Sequence, residues 1–332
     1  MRQLVLVLLS VPISWGTYTP VVKLLYNQPY PVPGIIFSTC YYAVAAVTLL
    51  VAKNIFSTSS SSSSSSPSSS SPSPLGGAEL AGYLFVANIF QVIGLQTTSA
   101  IVAAFIVQLT TIFTPLLEGL RGGDVKPRTW LSCTAAFFGV VLMTLSQSTT
   151  PAGALSLSSS SLTGDLLIFL ASILYSLHVV RLGDISKSCS PLTLAASKAS
   201  YELLYGTILI LSSLLLSPYL PLPSDLSSFT TFFTVSLPNI LSSPTSLTPI
   251  ILATLWTGLI TCAYTIFAQS YGQRTIPPSD ANLIYTTQPV WSAIFAYVAL
   301  GEKLEGVGWL GAAVIFAALG IEIYQPDRDR GG

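Results

Sequence analysis

The stretch GLQTTSAIVAAFIVQLTTIFTPLLEGL, residues 94–120, decides the fold class of this chain. Apolar residues dominate it, and Glu118 is its one charged side chain. A helix needs about 20 predominantly apolar residues to cross the roughly 30 Å hydrocarbon core of a bilayer. Residues 99–120 of this stretch therefore predict a transmembrane helix.

Nine further windows have the same apolar character and are bounded by turn residues. A helix suits them because its backbone satisfies its own hydrogen bonds, which lipid cannot do. The ten predicted spans are Leu4–Leu25, Gly34–Val51, Leu80–Gln96, Ser99–Leu120, Trp130–Leu145, Gly164–Leu182, Leu192–Leu216, Pro249–Tyr271, Pro278–Leu300 and Leu304–Tyr324. Within the first span, Pro12 and Pro20 predict a kink.

The composition of the whole chain agrees with a membrane protein. Of its 332 residues, 51% are hydrophobic and 8% are charged, against about 25% charged in a soluble domain. The 13 basic and 13 acidic residues leave no basic field, which excludes nucleic-acid binding. The four cysteines are dispersed and form no CxxC or Cys/His cluster. We therefore expect no disulfide framework, no metal site and no cofactor.

A second copy of the opening stretch follows 178 residues later. The matching pairs at that offset are Gly94 with Gly272, Thr97 with Thr275, Ala103 with Ala281, and Ile106 with Ile284. At an offset of 179, Trp130, Leu131 and Phe137 match Trp309, Leu310 and Phe316. Five helices per copy is an odd number, so the second copy enters the membrane from the opposite side. The ten helices are thus predicted to form two inverted five-helix repeats, the architecture of secondary transporters.

Polar stretches separate these parts of the chain. We expect the first repeat at residues 1–147, a polar loop at 148–163, the second repeat at 164–326 and a polar tail at 327–332. Residues 57–74 contain only Ser, Thr and Pro, so they predict a disordered linker. Residues 217–248 predict a long loop, in which Phe229–Val235 is apolar enough to touch the membrane surface.

The positive charges predict the orientation of the chain. With the N-terminus inside, ten Lys and Arg side chains lie on the cytoplasmic or equivalent side, and only Lys23 and Lys303 lie on the other. Inward-facing loops are enriched in these residues, so we expect both termini on that side. The first window lacks a small-residue cleavage pattern, so we expect a span there and not a signal peptide.

Three segments carry a resemblance to a known family. Residues 94–120, with RTWL at 128–131, resemble the EamA repeat of the drug/metabolite transporter superfamily, as do Gly272–Phe316 with Pro289 and the LGEKL motif. Gly164 and Asp165 resemble the start of its second repeat. The resemblance implies a ten-helix carrier that exports or exchanges small metabolites. The serine-rich loops resemble plant or algal members, which leaves a plastid or a plasma membrane open.

One departure from the sequence pattern of the superfamily narrows the class of substrate. Sugar-phosphate carriers of the same superfamily present a Lys-Arg pair in the ninth helix, whereas this helix has no cation. A phosphate dianion would therefore lack a charge partner at depth.

Thirteen side chains on the spans are candidates for a substrate site. Polar groups that face lipid lose their hydrogen-bond partners, so polar stripes at helical spacing are expected to point inward. The candidates are Trp15, Tyr18, Asn88, Gln91, Gln108, Tyr175, His178, Lys198, Glu202, Tyr264, Gln269, Asn282 and Tyr285.

Each group of candidates also has a structural interpretation. The polar stripes would serve equally as interhelical hydrogen bonds, the aromatic pairs as packing, and His178 as a buried structural residue. Lys198 and Glu202, four residues apart, either pair with each other, open to a charged substrate or a proton, or reach the interface by snorkelling.

The sequence favours a secondary transporter of small organic metabolites that works by alternating access. No GxxxxGK[ST] motif is present, so direct ATP coupling is not expected, and protons are a candidate coupling ion. One histidine and dispersed acidic residues argue against an enzyme. The alternative is a structural or regulatory multi-pass membrane protein that transports nothing. Besides the substrate and the bilayer, no partner is indicated.

Overall fold

The computed structural model describes residues 2–26, 28–30, 32–60, 74–95, 97–98, 100–146, 162–216, 229–301, 304 and 306–323. Within these ranges the chain is helical and contains no strand. Of the predicted polar regions, residues 61–73, 148–161, 217–228 and 327–332 lie outside the described residues.

The helices occur in the following order. They are α1 (Arg2–Gly16), α2 (Tyr18–Tyr26), α3 (Gly34–Ser60), α4 (Pro74–Leu95), α5 (Ala100–Gln108), α6 (Thr110–Leu120), α7 (Pro127–Ser146), α8 (Leu162–Ser188), α9 (Pro191–Leu216), the π-helix π1 (Phe232–Ser236), α10 (Leu237–Ser242), α11 (Pro244–Trp256), the π-helix π2 (Thr257–Tyr264), α12 (Thr265–Gly272), α13 (Pro278–Tyr285), α14 (Gln288–Leu300) and α15 (Gly306–Ile323).

The described chain contains ten helical stretches long and apolar enough to span a bilayer, which confirms the prediction. The first span consists of α1 and α2, the fourth of α5 and α6, the eighth of α11, π2 and α12, and the ninth of α13 and α14. The other six spans are single helices.

Proline marks where several helices begin, because its missing N–H is not needed in the first turn. The helices that start at proline are α4 (Pro74), α7 (Pro127), α9 (Pro191), α11 (Pro244) and α13 (Pro278). The eighth span therefore begins at Pro244, five residues before its predicted start. Helix α3 continues to Ser60, so residues 57–60 of the predicted linker form its last turn.

The predicted loop 217–248 is helical in its second half, where π1 and α10 lie. Phe229, Phe232 and Ile240 are buried among Leu25, Val32, Ile36, Phe37 and Ala253. Burial of three large apolar side chains stabilises helix here, because this packing overrides the loop-like composition. Two of the residues expected to touch the membrane surface, Phe229 and Phe232, are thus buried in protein, whereas Phe233 and Val235 are exposed.

Proline also explains two of the breaks within spans. A proline removes the hydrogen bond to the carbonyl four residues earlier and its ring clashes with that carbonyl. Pro20 acts on Gly16, where α1 ends, and Pro289 acts on Tyr285, where α13 ends. The kink predicted from Pro20 is therefore a break, at Thr17, whereas Pro12 lies inside α1.

The chain forms two compact units. Unit 1 contains Met1–Gly16, Val86–Asp184 and Gly272–Gly332, and unit 2 contains Thr17–Phe85 and Ile185–Tyr271. Each unit draws on both sequence repeats. Inside unit 1, α7 packs against α15 and α6 against α13, while inside unit 2, α3 packs against α9.

These three pairs join equivalent spans of the two repeats: the fifth and tenth, the fourth and ninth, and the second and seventh. Small residues permit the close approach in two of them. Gly139 of α7 meets Gly311 of α15, and Gly206 of α9 meets Thr39 of α3. The fold agrees with the predicted class, ten membrane helices in two inverted repeats.

Candidate functional site

A break in the fourth span brings three helices of unit 1 together. Helix α5 ends at Gln108 and α6 begins at Thr110. The Thr110 carbonyl oxygen accepts hydrogen bonds from Thr114 Oγ1 (2.8 Å) and from Asn282 Nδ2 on α13 (3.1 Å). Ser176 Oγ on α8 lies 3.4 Å from the same oxygen. Side chains from both repeats thus converge on one backbone carbonyl.

The ninth span is broken at the equivalent position. Adding the repeat offset of 178 to Gln108 and Thr110 gives Thr286 and Gln288, and α14 begins at Gln288. Asn282 lies one turn before Thr286 and is 6% exposed. Breaks in two equivalent helices leave backbone groups that side chains, water or a ligand must satisfy.

A second polar cluster joins α8 to α4. Tyr175 Oη lies 2.7 Å from Asn88 Oδ1 and 2.7 Å from Gln91 Oε1. A phenol carries one proton and donates it to one acceptor. The other amide must therefore turn its NH₂ group toward the phenol oxygen, since amide orientation is assigned from the network. Asn88 is exposed and Gln91 is half-buried, so this cluster is open on one side.

Two aromatic rings pack together one helical turn from Asn282. Tyr285, one turn along α13, is 6% exposed. Trp15 of α1 meets it edge to face, with ring centroids 5.3 Å apart. Across the break in the fourth span, Gln108 Nε2 donates to Thr111 Oγ1 at 2.6 Å. Amides, hydroxyls and aromatic faces are the groups that bind an uncharged polar or aromatic molecule.

A model of the EamA-like transporter family matches residues 2–145 and again residues 162–322. Both repeats are covered, and so is almost the whole described chain. The chain belongs to the EamA-like transporter family. This family is part of the drug/metabolite transporter superfamily, which confirms the resemblance seen in the sequence. The chain is accordingly a multi-pass membrane transporter.

Individual proteins agree with the family. A protein named an uncharacterized transporter from Archaeoglobus fulgidus is 25% identical to this EamA-like transporter over 231 residues, 69% of each chain. The permease-like protein YdzE of Bacillus subtilis is 20% identical over 75 residues, 23% of this chain and 96% of YdzE. One crystal structure has a TM-score of 0.68, covering 97% of this chain and 96% of its own at 14% identity. That last similarity shows the fold.

The candidate residues of this EamA-like transporter divide between the two units. Unit 1 contains eight of the thirteen and unit 2 contains five. In unit 1 are Trp15, Asn88, Gln91, Gln108, Tyr175, His178, Asn282 and Tyr285, and in unit 2 are Tyr18, Lys198, Glu202, Tyr264 and Gln269. His178 is 3% exposed and Gln269 is likewise 3% exposed, whereas Tyr264 is 39% exposed.

Lys198 and Glu202 are the buried charges of unit 2, and each is 2% exposed. Among the ion pairs of the described residues, none joins them. Glu202 Oε1 has no hydrogen-bond partner there either. The structure therefore contains no direct ion pair between them, although the two groups interact electrostatically one turn apart, and both are buried in the protein.

Two groups of the candidate site were not predicted from the sequence. Ser176 and the Thr110 carbonyl were not candidates, because composition and helical spacing do not indicate which backbone oxygen a distant side chain reaches. Glu118 lies near the end of α6. It caps a helix, because its carboxylate accepts hydrogen bonds from the backbone N–H (2.8 Å) and the hydroxyl of Ser279 in the first turn of α13. In the described chain no group of three or more His, Cys, Asp or Glu could hold a metal.

Proposed function

We propose that this protein is a secondary transporter that moves a small organic metabolite by alternating access. The observation that carries the proposal is the pair of helix breaks at equivalent positions of the fourth and ninth spans. Secondary transporters bind substrate near the bilayer midplane, where helices are discontinuous and backbone groups face a cavity. Here the two broken spans are in direct contact, because Asn282 in α13 of the ninth span donates to Thr110 O in α6 of the fourth span.

The side chains around these breaks indicate the chemistry of the substrate. Asn88, Gln91 and Tyr175 offer amides and a hydroxyl, and Trp15 with Tyr285 offers aromatic surface. None of these groups carries a formal charge at neutral pH. We infer a substrate that is recognised by hydrogen bonds and ring contacts. A phosphate dianion is disfavoured, because the ninth span has no Lys or Arg to meet it.

The competing function is a membrane protein that transports nothing, in which the same polar contacts only hold the helices together. Interhelical hydrogen bonds in membranes contribute about 0.6 kcal/mol each. The open side of the Asn88 cluster favours binding, because an amide used only for packing is expected to be buried with its partner. Asn88 is exposed although its oxygen lies 2.7 Å from Tyr175 Oη.

The test is transport by purified full-length protein in liposomes, with a pooled metabolite mixture measured by mass spectrometry. We expect selective movement of one compound or a few related compounds. Asn282→Leu should reduce that flux at least about tenfold, or about 1.4 kcal/mol in the barrier, because both the amide and its contact with Thr110 are lost.

A matched control is Thr134→Leu, another polar-to-leucine change within a span. Thr134 is exposed, and its hydroxyl bonds only the Trp130 carbonyl of its own helix at 2.8 Å. The Thr134→Leu variant should therefore transport at the wild-type rate. If protein that elutes as a single folded species moves nothing, the transport proposal is wrong. If Asn282→Leu transports like Thr134→Leu, the site is not at the breaks.

A further inference from the structure

Two ionisable side chains lie one helical turn apart on α9, inside unit 2. Lys198 and Glu202 are each 2% exposed, and Lys198 is among the largest fully buried side chains of the described chain. They form no ion pair with each other, and Glu202 Oε1 receives no hydrogen bond. A buried charged group without a partner is strongly destabilising. The protein nevertheless keeps a carboxyl group here, with a buried lysine one helical turn away.

The helices of unit 2 approach closely around this turn of α9. A Cβ atom at Gly77 of α4 would lie 3.0 Å from Lys198 N. A Cβ atom at Gly206, one turn beyond Glu202, would lie 2.5 Å from Thr39 Oγ1 of α3. One at Gly258 of π2 would lie 2.9 Å from the Tyr41 carbonyl oxygen of α3. At these three contacts the helices around this turn of α9 are therefore packed as closely as glycine allows.

The groups that face Glu202 come from each helix packed here. Helix α3 contributes Tyr41 and Tyr42, π2 contributes Cys262, and α9 itself contributes Lys198 and Tyr205. Helix α12 contributes the apolar Ile266 and Phe267, which pack in one core cluster with Ala195 and Ala199 of α9. Helix α4 has one carboxylate, Glu79, which accepts a hydrogen bond from Tyr83 on its own helix. Lys198 is the one basic group among those that face Glu202 in the described chain.

A proton is the ligand that fits this environment. Burial away from water and without a donor to Oε1 favours the neutral carboxylic acid, whereas water favours the carboxylate. We propose that Glu202 is a proton-binding site, that it releases its proton when a conformational change exposes α9 to water, and that protons are the coupling ion. Release converts COOH to COO⁻ plus H⁺, and Lys198 one turn away keeps the product from being an isolated negative charge. This inference rests on the proposed transport function.

Proton binding is measurable without knowing the substrate. The test is infrared difference spectroscopy of the full-length protein in lipid after a pH jump, read at the carbonyl stretch of protonated carboxylic acids. The variant is Glu202→Gln, which keeps the shape and removes the titration. Glu79→Gln is the matched control, because it makes the same change on a carboxylate of the same unit. We expect the band in the wild type and in Glu79→Gln, and its loss in Glu202→Gln. A band that persists in Glu202→Gln overturns the proton site.

Coupling between proton movement and metabolite transport is tested in the same liposomes, with an internal pH dye and the pooled metabolites. We expect wild-type flux to change at least about tenfold with an imposed pH gradient, and Glu202→Gln flux to be independent of it. Wild-type flux that ignores the gradient overturns coupling and leaves the transport proposal standing. If the wild type carries no metabolite at all, the transport proposal fails, and the infrared band alone decides whether Glu202 binds a proton.

Discussion

Gly139→Ala tests the close contact between the fifth and tenth spans. A Cβ atom at Gly139 would lie 2.8 Å from the Gly311 carbonyl oxygen and 2.7 Å from Ile315 Cγ1. Ordinary van der Waals contact begins at 3.4 Å. Because a backbone oxygen cannot rotate away as a side chain can, helices α7 and α15 must separate by about 0.6 Å to admit the methyl group.

The size of the effect follows from two opposing terms. Overpacking a tight contact destabilises a protein by about 1–3 kcal/mol. Replacing glycine by alanine within a helix stabilises by up to about 1 kcal/mol in solvent. Gly320→Ala on α15 isolates the second term, because nothing lies within 4 Å of its Cβ position. We therefore expect Gly139→Ala to be less stable than Gly320→Ala by about 1–3 kcal/mol.

The assay is equilibrium unfolding of the full-length variants in mixed micelles with increasing SDS, followed by tryptophan fluorescence. The comparison between the two variants removes the shared glycine-to-alanine term. Equal free energies of unfolding for Gly139→Ala and Gly320→Ala would refute the argument, since they would mean that α7 and α15 are not in contact at this point in the membrane.

Three further changes test the site. Glu118→Gln removes the charge that caps α13 through Ser279. The thermal unfolding temperature of this variant should fall, in line with a loss of about 1 kcal/mol in the free energy of unfolding. An unchanged temperature would contradict the cap. Pro289→Ala restores a backbone N–H donor for the Tyr285 carbonyl and should make the ninth span continuous. Liposome transport should then show reduced flux, whereas the free energy of unfolding should be retained. Tyr175→Phe removes the hydroxyl that bridges Asn88 and Gln91, so flux should fall at least several-fold. Its free energy of unfolding should change by about 1 kcal/mol or less. Normal flux in Tyr175→Phe would exclude this cluster from the site.

The spans could be predicted because their cause is local. A run of about 20 apolar residues satisfies the bilayer by length and composition, whatever it packs against. The break at Thr17 was visible in outline too, since Pro20 acts on the carbonyl four residues earlier. The helical segment after Phe229 was not, because its stability comes from Leu25 and Phe37, residues that are distant in sequence.

The hydrogen-bond and ion-pair partners of the candidate residues could not be predicted in the same way as the spans. Helical spacing placed Asn88 and Gln91 on one face of the third span. It could not say that Tyr175, 84 residues beyond Gln91, supplies the hydroxyl between them. For Lys198 and Glu202 the spacing suggested a salt bridge, and the folded chain does not form one. Periodicity predicts which face of a helix is buried and leaves open what that face meets.

The two helix breaks show how the repeats depend on each other. In the ninth span the break has a cause in its own sequence, because Pro289 removes the bond to Tyr285. In the fourth span the position equivalent to Pro289 is Thr111, and the proline there, Pro115, lies inside α6 after the break and not at it. The Thr110 carbonyl beside this break receives a hydrogen bond from Asn282 of the second repeat. The first repeat alone lacks that donor. The hydrogen bond at the fourth-span break therefore needs both repeats, so the proposed site depends on the two repeats being assembled.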